Sequence, residues 1–572
     1  FVTGELSPHM FYRVDLEVYS AGAAYLRNFI PLQHGPLSRR QGSQYLNRTP
    51  GFCRLVPFSF SITQSFMLEF SAQILRVYYQ DTIVLNAAGN APFSTTTQFR
   101  EEDLPNLCWA QYKDWLYVCD GYHPPVAIKR YANNDWREEA LVFTNIPVEW
   151  GGTNWPAFVT FFEQRAVYAA APANPQQIWM SRTGLPEDFK YNDGTDSNGQ
   201  LIVLDDHALT YTIFSTDANG IKWVMPGSAL LIGTSGSEYR VGSTVFGDAI
   251  TPKNIKIVPQ TAFGSAPVTP IKADTSIIFV PRARTRVRSI EYSIQQEQFI
   301  TQDLTVFSSQ IALSGIKEMA CQTAPDTYLW MVTRAGELVG CTYEKSQKVI
   351  AWHKHITDGK YVSISISPSD GNDLIYVVVQ RDNEYFTELF TNLSEPPADV
   401  NDAWYVDSGL KYEGPPIQHI VGMTHLANKT INVLVDGWVH PQVTVSASGS
   451  FDLDQPGSRI QAGLPYTSTF TSLVPQSQQS LTVGMKRRIN EFLIALEDSL
   501  DFYYRAVSQQ NIQLEYFGPT RVMNLAKNPA SRQERLPVDS SSDYTEQLQV
   551  WTDRPVPMTI RNLLYFINPA GI

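Results

Sequence analysis

The sequence predicts a mainly β chain. It has a β-propeller-like core of stacked meanders and a platform region formed by an N-terminal helix-containing segment and a C-terminal β domain. Three observations lead there. Short apolar strands divided by Gly, Asp, Asn or Pro turns recur through the middle of the chain. Apolar residues make up 43% and aromatic residues 12%, but charged residues only 17%, which suits β-structure with uncharged polar faces and argues against coiled coil or disorder. A chain of 572 residues is also too long for one ordinary domain, and three segments are expected: 1–56, 57–397 and 398–572.

In the first segment Leu6-Ser7-Pro8 provides a helix entry, and Tyr12, Leu16, Tyr19, Ala23 and Leu26 recur at helical spacing on one face. Arg27 to Leu32 is then extended and Gly35-Pro36 turns. Ser38-Arg39-Arg40-Gln41-Gly42 reads as a basic loop before a strand at Ser43 to Leu46. For Arg39 and Arg40 two readings stand: a solvated turn, or docking against an acidic neighbour.

The middle segment repeats one grammar, clearest from Trp155 to Gly184. Phe158 to Phe162 is a strand, Glu163-Gln164-Arg165 a polar turn, and Ala166 to Ala170 a returning strand. Pro172 to Pro175 then breaks the pattern, and Gln177 to Ser181 begins a third strand. Similar units are read before it, around Ser59 to Tyr79 and Leu107 to Trp136, and after it, from Leu201 to Val241 and onward to Gln380. They have blade-like spacing, but the sequence repeat is too degenerate to count blades. One helix is expected to interrupt, with Thr301 as its cap, Leu304, Phe307 and Ile311 on its apolar face, and Gly315 at its end. Ser394 to Ala398 is the strongest boundary. Beyond it Gln418 to Met423, Ile431 to Val435 and Val443 to Ser446 read as strands, Thr482 to Ile494 as a strand pair, and Ser508 to Ser542 as long loops.

Composition narrows the function. Net charge is −12, from 44 basic and 56 acidic residues, whereas a chain that grips DNA phosphates carries a basic surplus. An acidic wall can still surround DNA without holding it, because it repels the backbone. Cys53, Cys108, Cys119, Cys321 and Cys341 are too few and too odd in number for a disulfide framework. They read as small buried hydrophobes, with Cys108 and Cys119 placed to face each other on neighbouring strands. No apolar run approaches the ~20 residues needed to cross a bilayer, so no membrane anchor is expected. Phe1-Val2-Thr3-Gly4 lacks an initiator Met and a signal-peptide pattern, so the numbering is expected to begin just inside the gene product.

Three clusters have the residue types for chemistry. His353-Lys354-His355 puts two imidazoles on one strand face, as half of a metal site or as core. Asp205-Asp206-His207 offers two acids and a base, or a strand-ending turn. Glu101-Glu102-Asp103 offers a glycosidase-type carboxylate pair, or a solvated acidic loop. In each, the second reading is favoured. The sequence carries no phosphate-binding loop, nucleophile elbow or HExxH motif, and no enzymatic activity, cofactor or metal is expected.

Several phrases have a family likeness. Phe1 to Pro8, then Arg13-Val14-Asp15-Leu16, then Arg27-Asn28-Phe29 resemble an opening of the form FxGGELSP, GRxDLxxY, RNF and RRPG, with Thr3-Gly4 in place of a Gly pair and Arg40-Gln41-Gly42 in place of RPG. Phe161 to Arg165, Pro175 to Arg182, Ile232-Gly233-Thr234 with Glu238, Ala351-Trp352-His353 and Val435-Asp436-Gly437 resemble the same family in the same order, to about residue 470. That family is the tail nozzle, or tail tubular protein B-like, component of short-tailed bacteriophages. The resemblance implies a virion structural protein of the tail, assembled in the host bacterial cytoplasm, with a β-propeller in each subunit. It implies a homohexameric ring below the tail adaptor protein, contacts with tail fibre or spike proteins, and a lumen through which viral DNA passes without sequence-specific binding. Arg27, Arg39 and Arg40 are then expected at contacts between neighbouring rings. The alternative is a host-surface glycan-binding or glycan-degrading β-propeller, a receptor-binding or depolymerase protein.

Overall fold

The computed structural model describes all residues except 62, 215–218, 246, 294, 297, 392–398, 476–485, 516–525, 527 and 571–572, and the side chains of 568–570. The expected boundary at Ser394 to Ala398 and the start of the expected strand pair at Thr482 lie outside the described residues.

The meander grammar becomes blades. The stretch from Trp155 gives Phe158–Phe162, Arg165–Ala171 and Asn174–Met180, hydrogen-bonded in that order and followed on the outside by Leu209–Thr212. Its first turn is tight because Glu163 and Gln164 both take positive φ, 48° and 63°, as a two-residue hairpin with the twist of its strands requires. Leu201 to Leu204, expected as a strand, lies in the long connection before that outer strand.

Seven such sheets follow one another among the described residues. Blade 1 starts at Arg54–Ser61, blade 2 at Cys108–Tyr112, blade 3 at Phe158–Phe162 and blade 4 at Ile221–Pro226. Blade 5 starts at Ile271–Ala273, blade 6 at Ile316–Gln322 and blade 7 at Lys360–Ser367. Each junction between consecutive blades has its own apolar core. Phe66 meets Trp136 between blades 1 and 2, Trp223 meets Phe279 between blades 4 and 5, and Trp330 packs with Ile364 between blades 6 and 7. A further core packs Leu55 and Tyr78 of blade 1 against Val362 and Tyr376 of blade 7, which closes the circle. The closure is also made by hydrogen bonds: Ser43–Arg48 pairs antiparallel with Glu384–Phe390 as the outer strand of blade 7. A strand that precedes the first blade thus completes the last one, and the propeller starts within the expected N-terminal segment.

The platform grows out of two blades. The blade 6 sheet continues from Val349–His355 through Tyr25–Arg27, Ser468–Thr471, Leu548–Thr552 and Phe502–Ala506. Beyond Ser43–Arg48, the blade 7 sheet continues through Asp407–Ile420, Phe451–Leu464 and Thr430–Val435. A separate five-stranded sheet joins Phe29–Pro31 and Leu37–Arg39 to Thr559–Ala570 and Lys486–Ser499, over a core that includes Leu26, Phe29, Phe470, Phe492 and Val550.

Three expected elements are replaced. The N-terminal helix is reduced to a 3-10 turn at Pro8–Met10 and a single turn at Glu17–Ser20. Tyr12 sits at φ 67°, which a helix cannot continue through, and Leu26 pairs with Phe470 in a sheet. The helix expected from Thr301 to Gly315 is a strand, Gln298–Asp303, followed by turns. There the Phe307 carbonyl accepts from the Ser7 N–H at 2.8 Å and the Ser308 hydroxyl donates to the Glu5 carbonyl at 2.7 Å, so these backbone and hydroxyl groups bond to the N-terminal segment instead of to a helical turn. The loops expected from Ser508 to Ser542 include the strands Gln513–Glu515 and Ala530–Pro537, the latter an edge partner of Lys486–Ser499.

Candidate functional site

Two places concentrate polar side chains in the interior: the propeller axis and the junction with the platform. The first strand of every blade borders the axis, which encloses a cavity of about 530 Å³ lined by Arg54, Cys108, Phe158, Ile221, Ile271, Lys317 and Ile364 among others. Arg54, Lys317 and Glu318 are held internally. The Arg54 guanidinium donates to the carbonyls of Leu104, Pro105 and Leu107 at 2.8–3.1 Å and lies 3.9 Å from Glu318. Lys317 donates to the Val362 carbonyl at 3.0 Å, and burial pulls its pKa down. Burial pushes the Glu318 carboxyl up, against the opposing pull of Arg54 and Lys317. Side chains from the first strands of all seven blades converge on this cavity.

The junction is built around the two arginines read as a basic loop. Arg39 ends the strand Leu37–Arg39, and both side chains are buried, at 1% and 0% exposure. Arg40 makes a fork with Asp407, Nη1 to Oδ1 at 2.9 Å and Nη2 to Oδ2 at 3.0 Å, and its guanidinium lies 4.2 Å from the centre of the Tyr466 ring. Burial alone would lower its pKa, but Asp407 more than reverses this and the group is raised. Arg39 donates to Ser468 Oγ at 3.0 Å and to the Val556 and Tyr466 carbonyls at 2.8 and 3.1 Å, and it bonds to the Arg554 carbonyl. Burial holds it below its usual pKa, against the pull of Tyr466 and Tyr405. The backbone is equally tight, because a Cβ on Gly42 would come within 1.8 Å of the Val406 carbonyl oxygen. Arg27 pairs with Glu5, its side chain 14% exposed. Arg39 and Arg40 are therefore interior residues that join the N-terminal segment, blade 7 and the C-terminal region, and neither side chain reaches the surface of the chain.

The other candidates fall into place as structure. His353 and His355 do share a face of Val349–His355, with Nδ1 and Nε2 2.6 Å apart and both rings fully buried. They bond to each other, and no third ligand atom joins them among the described residues. Their fit is close: a Cβ on Gly340 would lie 2.1 Å from the His353 ring. Gly340→Ala is expected to destabilise the chain by about 1–3 kcal/mol through this overpacking, read as a lowered thermal transition. In Asp205-Asp206-His207, the Asp205 carbonyl accepts from Arg165 at 2.7 Å, Asp206 pairs with Arg182, and His207 Nδ1 accepts from the Leu204 N–H at 2.9 Å, so the triplet is a turn.

Glu101 and Glu102 are exposed, while Asp103 approaches Asp120 and His123. Asp120 accepts from the backbone N–H groups of Tyr122 and His123 at 2.9 and 2.8 Å and pairs with the His123 ring at 2.5 Å, and Asp103 accepts from the Arg100 N–H at 2.8 Å. This trio joins the connection into blade 2 to a turn of that blade and had no signature in the sequence beyond its residue types; its bonds shape two turns. Nearby Glu138 is pushed up to about 7 by burial, against the Gln98 N–H and His123. Cys108 and Cys119 are register partners, and all five thiols are free.

No family model and no curated protein matches the chain. Among solved structures it is similar to the β-propeller domain of Cps50 (Swd1) from Myceliophteria thermophila, at 8% identity and a TM-score of 0.40 over 62% of this chain and 100% of that one. It is also similar to the WD40 repeats of RRP9, at 8% identity and a TM-score of 0.39 over 62% and 100% of the two chains. Both likenesses concern fold alone. The chain is a mainly β protein with a β-propeller core, a class defined by its own blades and the cores between them.

Proposed function

We propose that the chain is a non-enzymatic virion structural protein, the nozzle subunit of a short-tailed bacteriophage. In this reading it forms a ring, expected to be hexameric, that extends the tail below the adaptor and conducts the genome during ejection. The observation that carries it is the order of the family-like phrases, from Phe1-Val2-Thr3-Gly4-Glu5-Leu6-Ser7-Pro8 to Val435-Asp436-Gly437. Two physical facts support it. DNA in this reading passes between subunits around a common axis, and six copies at −12 each bring −72 of charge to such a ring. The platform is woven from both chain ends and shares sheets with blades 6 and 7, which suits a part that bears load. Fibre or spike proteins would then attach to the outside of the ring.

The test is a cryo-EM reconstruction of the particles that carry this chain. Six copies on the distal tail axis are expected; off-axis, three-fold density would replace the nozzle with a receptor-binding or depolymerase protein. Lys in place of the acids found to line the lumen is expected to slow DNA ejection, measured by dye release, and an unchanged rate would rule out a repulsive wall.

A further inference from the structure

A ring of identical chains needs two different surfaces on each subunit that fit one another. Two places on this chain combine uncovered apolar side chains with opposite charge.

The first is an arm, residues 191–204, within the connection between Asn174–Met180 and Leu209–Thr212 of blade 3. It closes on itself as a hairpin: the Asp193 N–H donates to the Ile202 carbonyl at 3.0 Å, the Ile202 N–H to the Gly194 carbonyl at 2.9 Å, and Thr195 bridges Leu201. A lone two-stranded hairpin is marginal in water unless something packs on it. Here Leu201 is 60% exposed and Leu204 46%. Asp196 and Asp205 are exposed beside them, Asp205 meeting Arg165 through its carbonyl and not its carboxylate.

The second is a basic strip where blades 5 and 6 meet. Arg284 lies in the turn between Ser276–Phe279 and Arg288–Ser293, and Arg334 in the turn between Tyr328–Thr333 and Leu338–Glu344. Gly315 and Ile316 tie the two turns together, through Arg334 N–H to the Gly315 carbonyl at 2.8 Å and Ile316 N–H to the Arg284 carbonyl at 2.9 Å. Burial first, and then the neighbouring Arg334 charge, hold the Arg284 pKa down, and no carboxylate pairs with either guanidinium among the described residues. On the connection leading to Gly315, Leu313 is 69% exposed. Like charges gathered beside an uncovered leucine are relieved by an acidic, apolar partner.

We propose that the arm of one copy docks head to tail on the strip of the next, covering Leu201 and Leu204 with Leu313 and setting Asp196 and Asp205 against Arg284 and Arg334. The assignment rests on the ring reading above and specifies the contact that builds the ring. Because arm and strip are different surfaces, each copy keeps one free surface after pairing, so the contact repeats from copy to copy and, under the ring reading, closes.

The test uses two full-length chains, Leu204→Cys and Leu313→Cys, mixed under mild oxidation, with the unaltered chain as background. The mixture is expected to give at least about tenfold more covalent dimer than either variant alone, and Arg284→Glu with Arg334→Glu in the Leu313→Cys chain, or about 1 M salt, is expected to lower that yield. Equal yields with and without mixing, no dimer, or a yield indifferent to charge reversal would each overturn the docking. A particle with no axial ring but an intact cross-link would instead remove the nozzle reading, and a ring without the cross-link would remove only this contact.

Discussion

Replacing Arg40 by Met is expected to destabilise the chain by about 3–5 kcal/mol, and Asp407→Leu by a similar amount. Each change strands the partner charge in a site where Arg40 and Asp407 are 0% and 1% exposed. The fork at 2.9 and 3.0 Å, the Gln41 carbonyl and the Tyr466 ring surround the Arg40 guanidinium, and water cannot replace Asp407 there. The double variant removes both charges and is expected to lose less than the sum of the singles. Calorimetry on the full chain reads the effect as a transition moved to lower temperature. Arg13, paired with Asp15 on the surface, is the control, and its loss is expected to leave the transition in place. An Arg40→Met chain that melts like the unaltered one would mean that the propeller and platform are held together elsewhere.

How much of this was legible depended on the range of the forces involved. The blades could be read because alternation and turn chemistry are local. Phe158–Phe162 and Arg165–Ala171 are written in their own residues, with a turn at Glu163-Gln164. A platform made of the N-terminal segment and the C-terminal β region was legible, but its strand pairing was not, because strands such as Tyr25–Arg27 and Phe29–Pro31 are too short to show a period and exist by pairing with Ser468–Thr471 and Leu37–Arg39. The apolar spacing of Tyr19, Ala23 and Leu26 was real, and all three are buried, but by sheet and turn packing instead of along a helix face. Arg39-Arg40 failed for the same reason: two cations beside a glycine look like a surface loop unless Asp407, 367 residues beyond Arg40, is known to face them. Asp103, Asp120 and His123 come together because the connection into blade 2 lies against the turn between Trp115–Cys119 and Val126–Ala132. The two imidazoles, two residues apart on a strand, were foreseeable on one face.

The histidine pair sets the expected response to acid. Burial holds the His353 pKa down at about 3. Burial, then His353, Arg40 and Arg27, holds His355 well below its usual value. The unfolded chain takes up protons near pH 6.5 that the folded chain refuses, so each imidazole withdraws stability as pH falls below 6.5, by about 2 kcal/mol between pH 6.5 and 5. Glu138 acts in the opposite sense. Its folded pKa of about 7 lies above the unfolded value, so its contribution is full below about pH 4.5 and is lost as pH rises through 7. A raw pH profile mixes the two, and the informative quantity is the difference between the unaltered chain and His353→Gln. Measured by urea unfolding, the unaltered chain is expected to lose about 2 kcal/mol relative to the variant between pH 6.5 and 5. Parallel profiles would mean that His353 titrates as it does in water, which its contact with His355 and the enclosing Trp330 ring forbids. Since Asn28 accepts from the Ile356 N–H at 2.9 Å and Arg40 donates to the Ile356 carbonyl, protonating this pair also puts positive charge beside the residues that join blade 6 to the platform. Acid is therefore expected to loosen the propeller–platform junction before it opens the blades.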